Sequence, residues 1–192
     1  MAKDYSALLY IGDSNEALRL TETLLFSESR CILVRGKSTN IDDYSLDELR
    51  KFDGVLIYRW SFKDQTAAEI LLRRYVQSGG TLLIIPSYPG SFLGTKMYYA
   101  ESKGNCSVGY FVKTNPAYDR NVFNEVNITR FAPARYGAYP WGYIAFQNLN
   151  ETLMWVDGNP ILGIQHVGKG KIVWIGFGLL KHINLYLNHD DE

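Results

Sequence analysis

Apolar positions in the first half of the chain fall in short unbroken runs, separated by stretches of helical spacing. Ser6–Gly12 (SALLYIG), Arg30–Val34 (RCILV), Asp53–Tyr58 (DGVLIY) and Thr81–Ile85 (TLLII) each read as strands. A strand covered on both faces shows such a run instead of alternation. Asp13 and Ser14 can cap a helix over residues 15–26, where Ala17, Leu18, Thr21 and Leu25 recur at helical spacing. Ser45-Leu46-Asp47-Glu48 has the spacing of a capping box and opens a short helix to Phe52. A longer helix over Asp64–Gln77 carries Ala68, Leu71, Leu72, Tyr75 and Val76 on one side, and Gly79-Gly80 ends it. Helical crossovers between strands imply right-handed connections and a parallel sheet.

From Pro86 to about Asn159 the helical period fades and Gly, Pro, Asn and Tyr become frequent. This stretch reads as an irregular, β-rich insertion. Thr152–Val156 and Pro160–Gln165 then read as strands. The second joins Lys171–Ile175 through Val167-Gly168-Lys169-Gly170, a glycine-rich turn and hence a hairpin. A last helix is expected over Leu179–Leu187, followed by the acidic end His189-Asp190-Asp191-Glu192. The expected organisation is a single domain over residues 1–192. It has a βαβ core (6–87), an insertion (88–159) and a closing hairpin and helix (160–188).

A chain of 192 residues with 46% hydrophobic and 21% charged residues is globular in composition. Twenty basic residues balance twenty acidic ones, which removes the surplus of cations that nucleic-acid binding needs. No apolar run nears the ~20 residues of a membrane span, and the first residues lack a signal-peptide core. Three scattered histidines and two cysteines, Cys31 and Cys106, give no metal-ligand spacing and too few thiols for a disulfide framework. The cysteines can pair or stay free. No metal and no cofactor are expected.

Two segments together resemble a known group. Leu71 to Ile84, a helix followed by Gly79-Gly80 and an apolar strand, is similar to the signature of class I glutamine-amidotransferase-like domains. Pro160–Gly176 (PILGIQHVGKGKIVWIG) resembles the late hairpin of their non-amidotransferase relatives, trehalose-utilisation-like domains and extracytoplasmic domains of membrane proteins. The resemblance implies a three-layer α/β/α fold with a mostly parallel central sheet, flavodoxin-like or glutamine-amidotransferase-like, in which the aromatic insertion and hairpin are additions. Catalytic members carry their nucleophile in a Gly-x-Cys-x-Gly turn. Here Ile85, Ser87 and Pro89 occupy those positions, and Pro89 lacks an N–H that an oxyanion hole could use. Gly163-Ile164-Gln165-His166 resembles the ending that carries the family's histidine, without its Phe, Pro and Glu. The implied reading is a pseudoenzyme that lacks the Cys-His pair.

The candidate residues lie where ligands bind open sheets, at strand carboxyl ends. Asp13 and Ser14 follow the first strand and can cradle an anion, or simply cap a helix. Arg59 and Trp60 end the third strand; Arg59 suits a carboxylate and Trp60 a sugar ring, or Trp60 packs under the insertion. Ser87 with His182 is the enzymatic alternative, a hydrolase or transferase without the usual elbow glycines. The insertion holds Tyr88, Tyr98, Tyr99, Tyr110, Tyr118, Tyr136, Tyr139, Tyr143 and Trp141. These rings, with Tyr88, Tyr139 and Trp141 foremost, suit a glycan or protein partner, or build a satellite core. Sequons at Asn105, Asn127 and Asn150 sit in or beside it and favour an extracytoplasmic setting. The chain then reads as a binding module of a larger membrane protein, reaching the membrane through parts outside this sequence. Otherwise the setting is cytoplasmic.

Overall fold

The computed structural model describes residues 6–13, 31–100, 110–117, 130–131, 143–156 and 158–176. The helices expected over 15–26 and 179–187 lie outside them. The described residues divide into two compact units, one within Met1–Ser87 and His166–Val173, the other within Tyr88–Gln165 and Trp174–Phe177.

In the first unit, β1 (Ser6–Gly12), β2 (Cys31–Arg35), β3 (Gly54–Tyr58) and β4 (Thr81–Ile85) pair in the order β2-β1-β3-β4, all parallel. The β3 run GVLIY is buried at every position, as its unbroken apolar pattern requires. Ser45 caps the short α1 (Leu46–Leu49) with both reciprocal bonds of a capping box. Asp64 caps α2 (Gln65–Gln77), accepting from the N–H groups of Thr66 and Ala67 at 2.8 and 3.2 Å. Ala68, Leu72, Tyr75 and Val76 make the buried stripe of α2, while Leu71 is half-buried.

The end of α2 is closed by backbone. Gly79 takes φ +114, and the Gly80 N–H donates to the Tyr75 carbonyl at 3.1 Å. Against this end packs the turn between β11 (Asn159–Val167) and β12 (Gly170–Ile175). The Lys169 N–H donates to the Gln77 carbonyl and the Lys171 N–H to the Gly80 carbonyl, both at 3.2 Å. A Cβ on Gly170 would stand 2.2 Å from the Val76 oxygen and 2.3 Å from the Gly80 oxygen, so backbone meets backbone without room for a methyl group.

The second unit is built from hairpins. β5 (Gly90–Phe92), β6 (Thr95–Ala100) and β9 (Tyr143–Phe146) form an antiparallel sheet. β7 (Tyr110–Thr114) pairs antiparallel with β8 (Arg130–Phe131) and with β10 (Glu151–Val156), and β10 pairs antiparallel with β11. The two-residue turn Leu93-Gly94 has positive φ at both positions, the geometry that matches strand twist. The Leu93 side chain is buried at this turn. At the core, Phe146 and Trp174 rings sit 5.4 Å apart. Gln165 Oε1 accepts from the fully buried Thr95 hydroxyl at 3.1 Å and from the Trp174 indole at 3.4 Å.

These observations correct the expected fold class. The chain is strand-rich and its pairing is mixed, not a helix-flanked, mostly parallel three-layer α/β/α fold of flavodoxin or amidotransferase type. The parallel rule holds for the first 87 residues, where α2 does carry a crossover, and does not extend to the antiparallel pairs of the second unit.

Gly170→Ala is expected to lower unfolding free energy by about 2–4 kcal/mol, because the added Cβ must push one backbone away from the other. Gly158→Ala, where φ is +82 but nothing lies near the new Cβ, is expected to cost about 1 kcal/mol. Urea denaturation of both variants checks the order.

Candidate functional site

The strand order places a topological switch point between β1 and β3. The chain leaves β1 toward β2 on one side, and leaves β3 toward β4 on the other. Ligands of open parallel sheets bind outside the carboxyl ends at such a point. The last registered pair there is Gly12↔Tyr58, and the next residue on each strand is Asp13 and Arg59. Gly12 is required: a Cβ would lie 1.8 Å from the Tyr58 carbonyl oxygen.

Arg59 takes φ +49, a left-handed backbone costing an ordinary side chain roughly 1 kcal/mol. That conformation turns the chain out of β3. The guanidinium lies over the Tyr58 ring, 5.4 Å from its centroid, and Nη1 faces Asp13 Oδ2 at 3.9 Å. Both side chains are partly open to solvent, 44% and 36% exposed. The separation exceeds the roughly 2.7–2.9 Å of a charge-assisted hydrogen bond. The pair attracts without locking. One strand over, Ser87 follows β4, whose last registered pair with β3 is Tyr58↔Ile85. Its Oγ is buried and has no hydrogen-bond partner among the described residues.

Beside this point a polar clasp ties the loop after β2 to the loop after β3. An isolated parallel bridge joins Asn40 and Ser61, and the Ser61 hydroxyl donates to Asn40 Oδ1 at 2.6 Å. Asp42 accepts from the backbone N–H groups of Lys63 and Asp64 at 2.8–3.0 Å, just before α2. Those bonds lower its pKa, the Lys63 one most. Asp43 accepts from Lys63 Nζ and from the Ser38 hydroxyl, and these hold its carboxyl down at about 2. Glu48 is likewise held at about 2 by Lys37, 2.6 Å away, and by the Ser45 N–H. Lys37 also stands over the Tyr44 ring at 5.3 Å. This clasp is a long-range assembly that local spacing does not reveal; only its Ser45–Glu48 capping box has a sequence signal.

Of the residues named from sequence, the structure brings together Asp13 and Arg59, with half-buried Trp60 following at once. Tyr88 is 75% exposed and belongs to the second unit. Ser14, Tyr139, Trp141 and His182 lie outside the described residues, as do Cys106 and the sequons at Asn105 and Asn127. Asn150 is exposed, its N–H donating to the Ile164 carbonyl. Cys31 is a free thiol whose pKa is raised by burial and then by the Asp53 charge. Among the described residues no group of three or more His, Cys, Asp or Glu could hold a metal, and no helix is long and apolar enough to cross a membrane.

Residues 31–182 match the model of a family described as a domain of unknown function (DUF8560), and the chain belongs to that family. This corrects the amidotransferase-like resemblance. The two motifs behind it, Gly79-Gly80 and the Gly-Lys-Gly turn, are the two halves of one backbone contact. In sequence the chain is 23% identical, over 201 aligned positions, to an exo-beta-D-glucosaminidase of Pyrococcus horikoshii. The match covers 93% of this chain and 24% of that enzyme, so the chain spans about a quarter of this curated relative's length.

In structure it resembles the cytoplasmic protein STM1381 of Salmonella typhimurium LT2, with a TM-score of 0.56 at 14% identity over 89% of this chain and 87% of that one. It also resembles the exo-beta-1,4-mannosidase Op5Man5 of Opitutaceae bacterium strain TAV5, with a TM-score of 0.56 at 12% identity over 96% and 33%. At such identities the likeness shows the fold. The expectation of an extracytoplasmic setting gains no support from a neighbour described as cytoplasmic.

Asp43 and Glu48 have folded pKa values near 2, below their ordinary values of 3.8 and 4.5. A depressed carboxylate stabilises the fold above its unfolded pKa, and that stabilisation is lost as pH falls through the folded value. The urea midpoint is therefore expected to fall between about pH 4.5 and 2. Lys63→Met, which removes the main partner of Asp43, is expected to flatten that fall. Circular dichroism at a series of pH values reads both.

Proposed function

Taking membership of the DUF8560 family as the premise, we propose that the chain is a non-catalytic module that binds carbohydrate at the carboxyl ends of β1 and β3. The observation that carries the reading is the Asp13–Arg59 pair at the switch point. Both side chains are partly exposed, and Arg59 takes a positive φ of the kind that gathers at functional sites. Trp60, next in sequence and half-buried, offers a flat apolar face of the kind that sugar rings stack on. The ligand class comes from the glucosaminidase relative, of which this chain matches one portion.

The chemistry of the neighbouring carboxylates supports binding over turnover. Glycoside hydrolysis needs one carboxyl raised in pKa to serve as acid. Asp42 and Asp43 are both lowered, and both are committed to backbone or lysine partners. Ser87 stands between Pro86 and Pro89 rather than between elbow glycines, and no base reaches its Oγ among the described residues. A protein partner for the exposed tyrosines, Tyr88 and Tyr99, stays compatible with this reading as a separate surface.

Chemical-shift titration with gluco- and manno-configured saccharides tests the proposal. Amide shifts are expected at residues 12–13 and 59–61, and Arg59→Gln is expected to weaken binding by about tenfold or more while leaving the melting curve in place. Hydrolysis of a p-nitrophenyl glycoside or ester that Ser87→Ala abolishes would overturn it, as would saccharides that move no amide at the strand ends.

A further inference from the structure

We infer that the amino-terminal end of the parallel strands, around the join between α2 and the β11–β12 turn, is a surface that binds an anionic lipid bilayer through charge. The inference goes beyond the carbohydrate reading and does not depend on it. Five exposed cations of the first unit meet there. Arg50, the C-cap of α1, reaches the C-cap of α2, its Nε donating to the Ser78 hydroxyl at 3.4 Å. Arg74 lies in the last turn of α2 and accepts the Ser78 N–H at its carbonyl, so it stands one turn from the same serine. Lys169 packs on the next residue, its Cβ 4.0 Å from where a Cβ on Gly79 would stand. Lys171 donates its N–H to the Gly80 carbonyl, and Lys51 follows Arg50 in the chain.

The charge there is unbalanced. Asp47 lies 3.8 Å from Arg50, Glu69 pairs with Arg73, and Asp53 accepts from the Ala7 N–H at 2.8 Å. No carboxylate among the described residues is within ion-pair reach of Lys51, Arg74, Lys169 or Lys171. In a chain whose twenty basic and twenty acidic residues cancel, this is a local surplus. Like charges repel, and a flexible surface would let them spread. Here the backbone bonds from Lys169 to Gln77 and from Lys171 to Gly80 hold the turn on the helix end and keep the cations together.

The chemistry of the exposed groups selects the partner. Protein interfaces draw their energy from a buried apolar or aromatic centre, and single-stranded nucleic acid stacks its bases on exposed rings. The ring in this stretch, Tyr75, is 2% exposed, and Ile70, one turn before Arg74, is the exposed large apolar side chain of α2. A bilayer with acidic headgroups needs no shaped groove; each Lys or Arg near its surface adds to the attraction. Three lysines and two arginines at the ends of α1, α2 and the β11–β12 turn match that requirement.

Co-sedimentation with phosphatidylcholine vesicles, with and without phosphatidylserine, tests the inference. The native protein is expected to sediment with the serine-containing vesicles alone, and to be released by about 1 M salt, which shortens screening to about 3 Å. Arg74→Gln, Lys169→Gln and Lys171→Gln are each expected to weaken binding about fivefold, and the triple variant about a hundredfold. Lys96→Gln, which removes an exposed lysine of the second unit, is expected to leave binding unchanged. All four positions are exposed, and thermal melts confirm that the variants fold. Native protein that stays in the supernatant, sediments equally with phosphatidylcholine alone, or is matched by the triple variant overturns the inference. Tighter binding to poly-glutamate or to single-stranded RNA than to the vesicles overturns the choice of a lipid surface.

Discussion

No side-chain atom fits between the end of α2 and the turn that joins β11 to β12. Val76 and Gly80 offer their carbonyl oxygens at 2.2–2.3 Å from where a Gly170 Cβ would stand, and two backbone hydrogen bonds cross the same gap. Backbone-to-backbone packing of this kind is unforgiving, because neither side has a rotamer to change. It fixes the start of β4, since Gly80 is both the partner of Lys171 and the residue before Thr81. Through β4 it sets the level of β3, and through β3 the level at which β1 ends. The pairing Gly12↔Tyr58 beside Asp13 and Arg59 is thus the far end of a ladder whose near end is a glycine contact.

The two ends of the parallel strands are built on opposite strategies. At the α2 end, satisfied backbone groups and absent side chains make a rigid join. At the carboxyl end, polar side chains do the joining. Asp42 supplies acceptors to the backbone leading into α2, while Asp43, Ser38, Asn40 and Ser61 knit two loops together. Lysines pair with Asp43 and Glu48, so these contacts weaken as the carboxylates protonate in acid. The arginine beside it carries a partly exposed charge on a backbone of φ +49 and faces Asp13.

Much of the local structure could be read from the sequence. The continuous apolar runs located β1, β3 and β4 to within a residue, and the Ser45–Glu48 spacing foretold a capping box whose reciprocal bonds both form. That Arg59 and Asp13 stand near each other followed from their places just past neighbouring strands. What could not be read was assembly. Gly79-Gly80 and Gly168-Lys169-Gly170 each looked like a family motif, and separated by some ninety residues they gave no sign of packing on each other. A separation of 21 and 22 residues likewise hides the service that Asp42 renders to Lys63 and Asp64. Fold class failed for a related reason: strand direction depends on connections, and the hairpins of the second unit carry weak local signals. Ser87 was singled out for the chemistry of a corner it does not form; its buried, unmatched hydroxyl became visible only in three dimensions.

The left-handed backbone at Arg59 has an implication for how this position can vary. Glycine there would relieve about 1 kcal/mol of conformational strain, and asparagine a fraction of it. A laboratory search for heat-tolerant variants would therefore reward losing the arginine, and position 59 is a place where the chain holds less stability than its backbone allows.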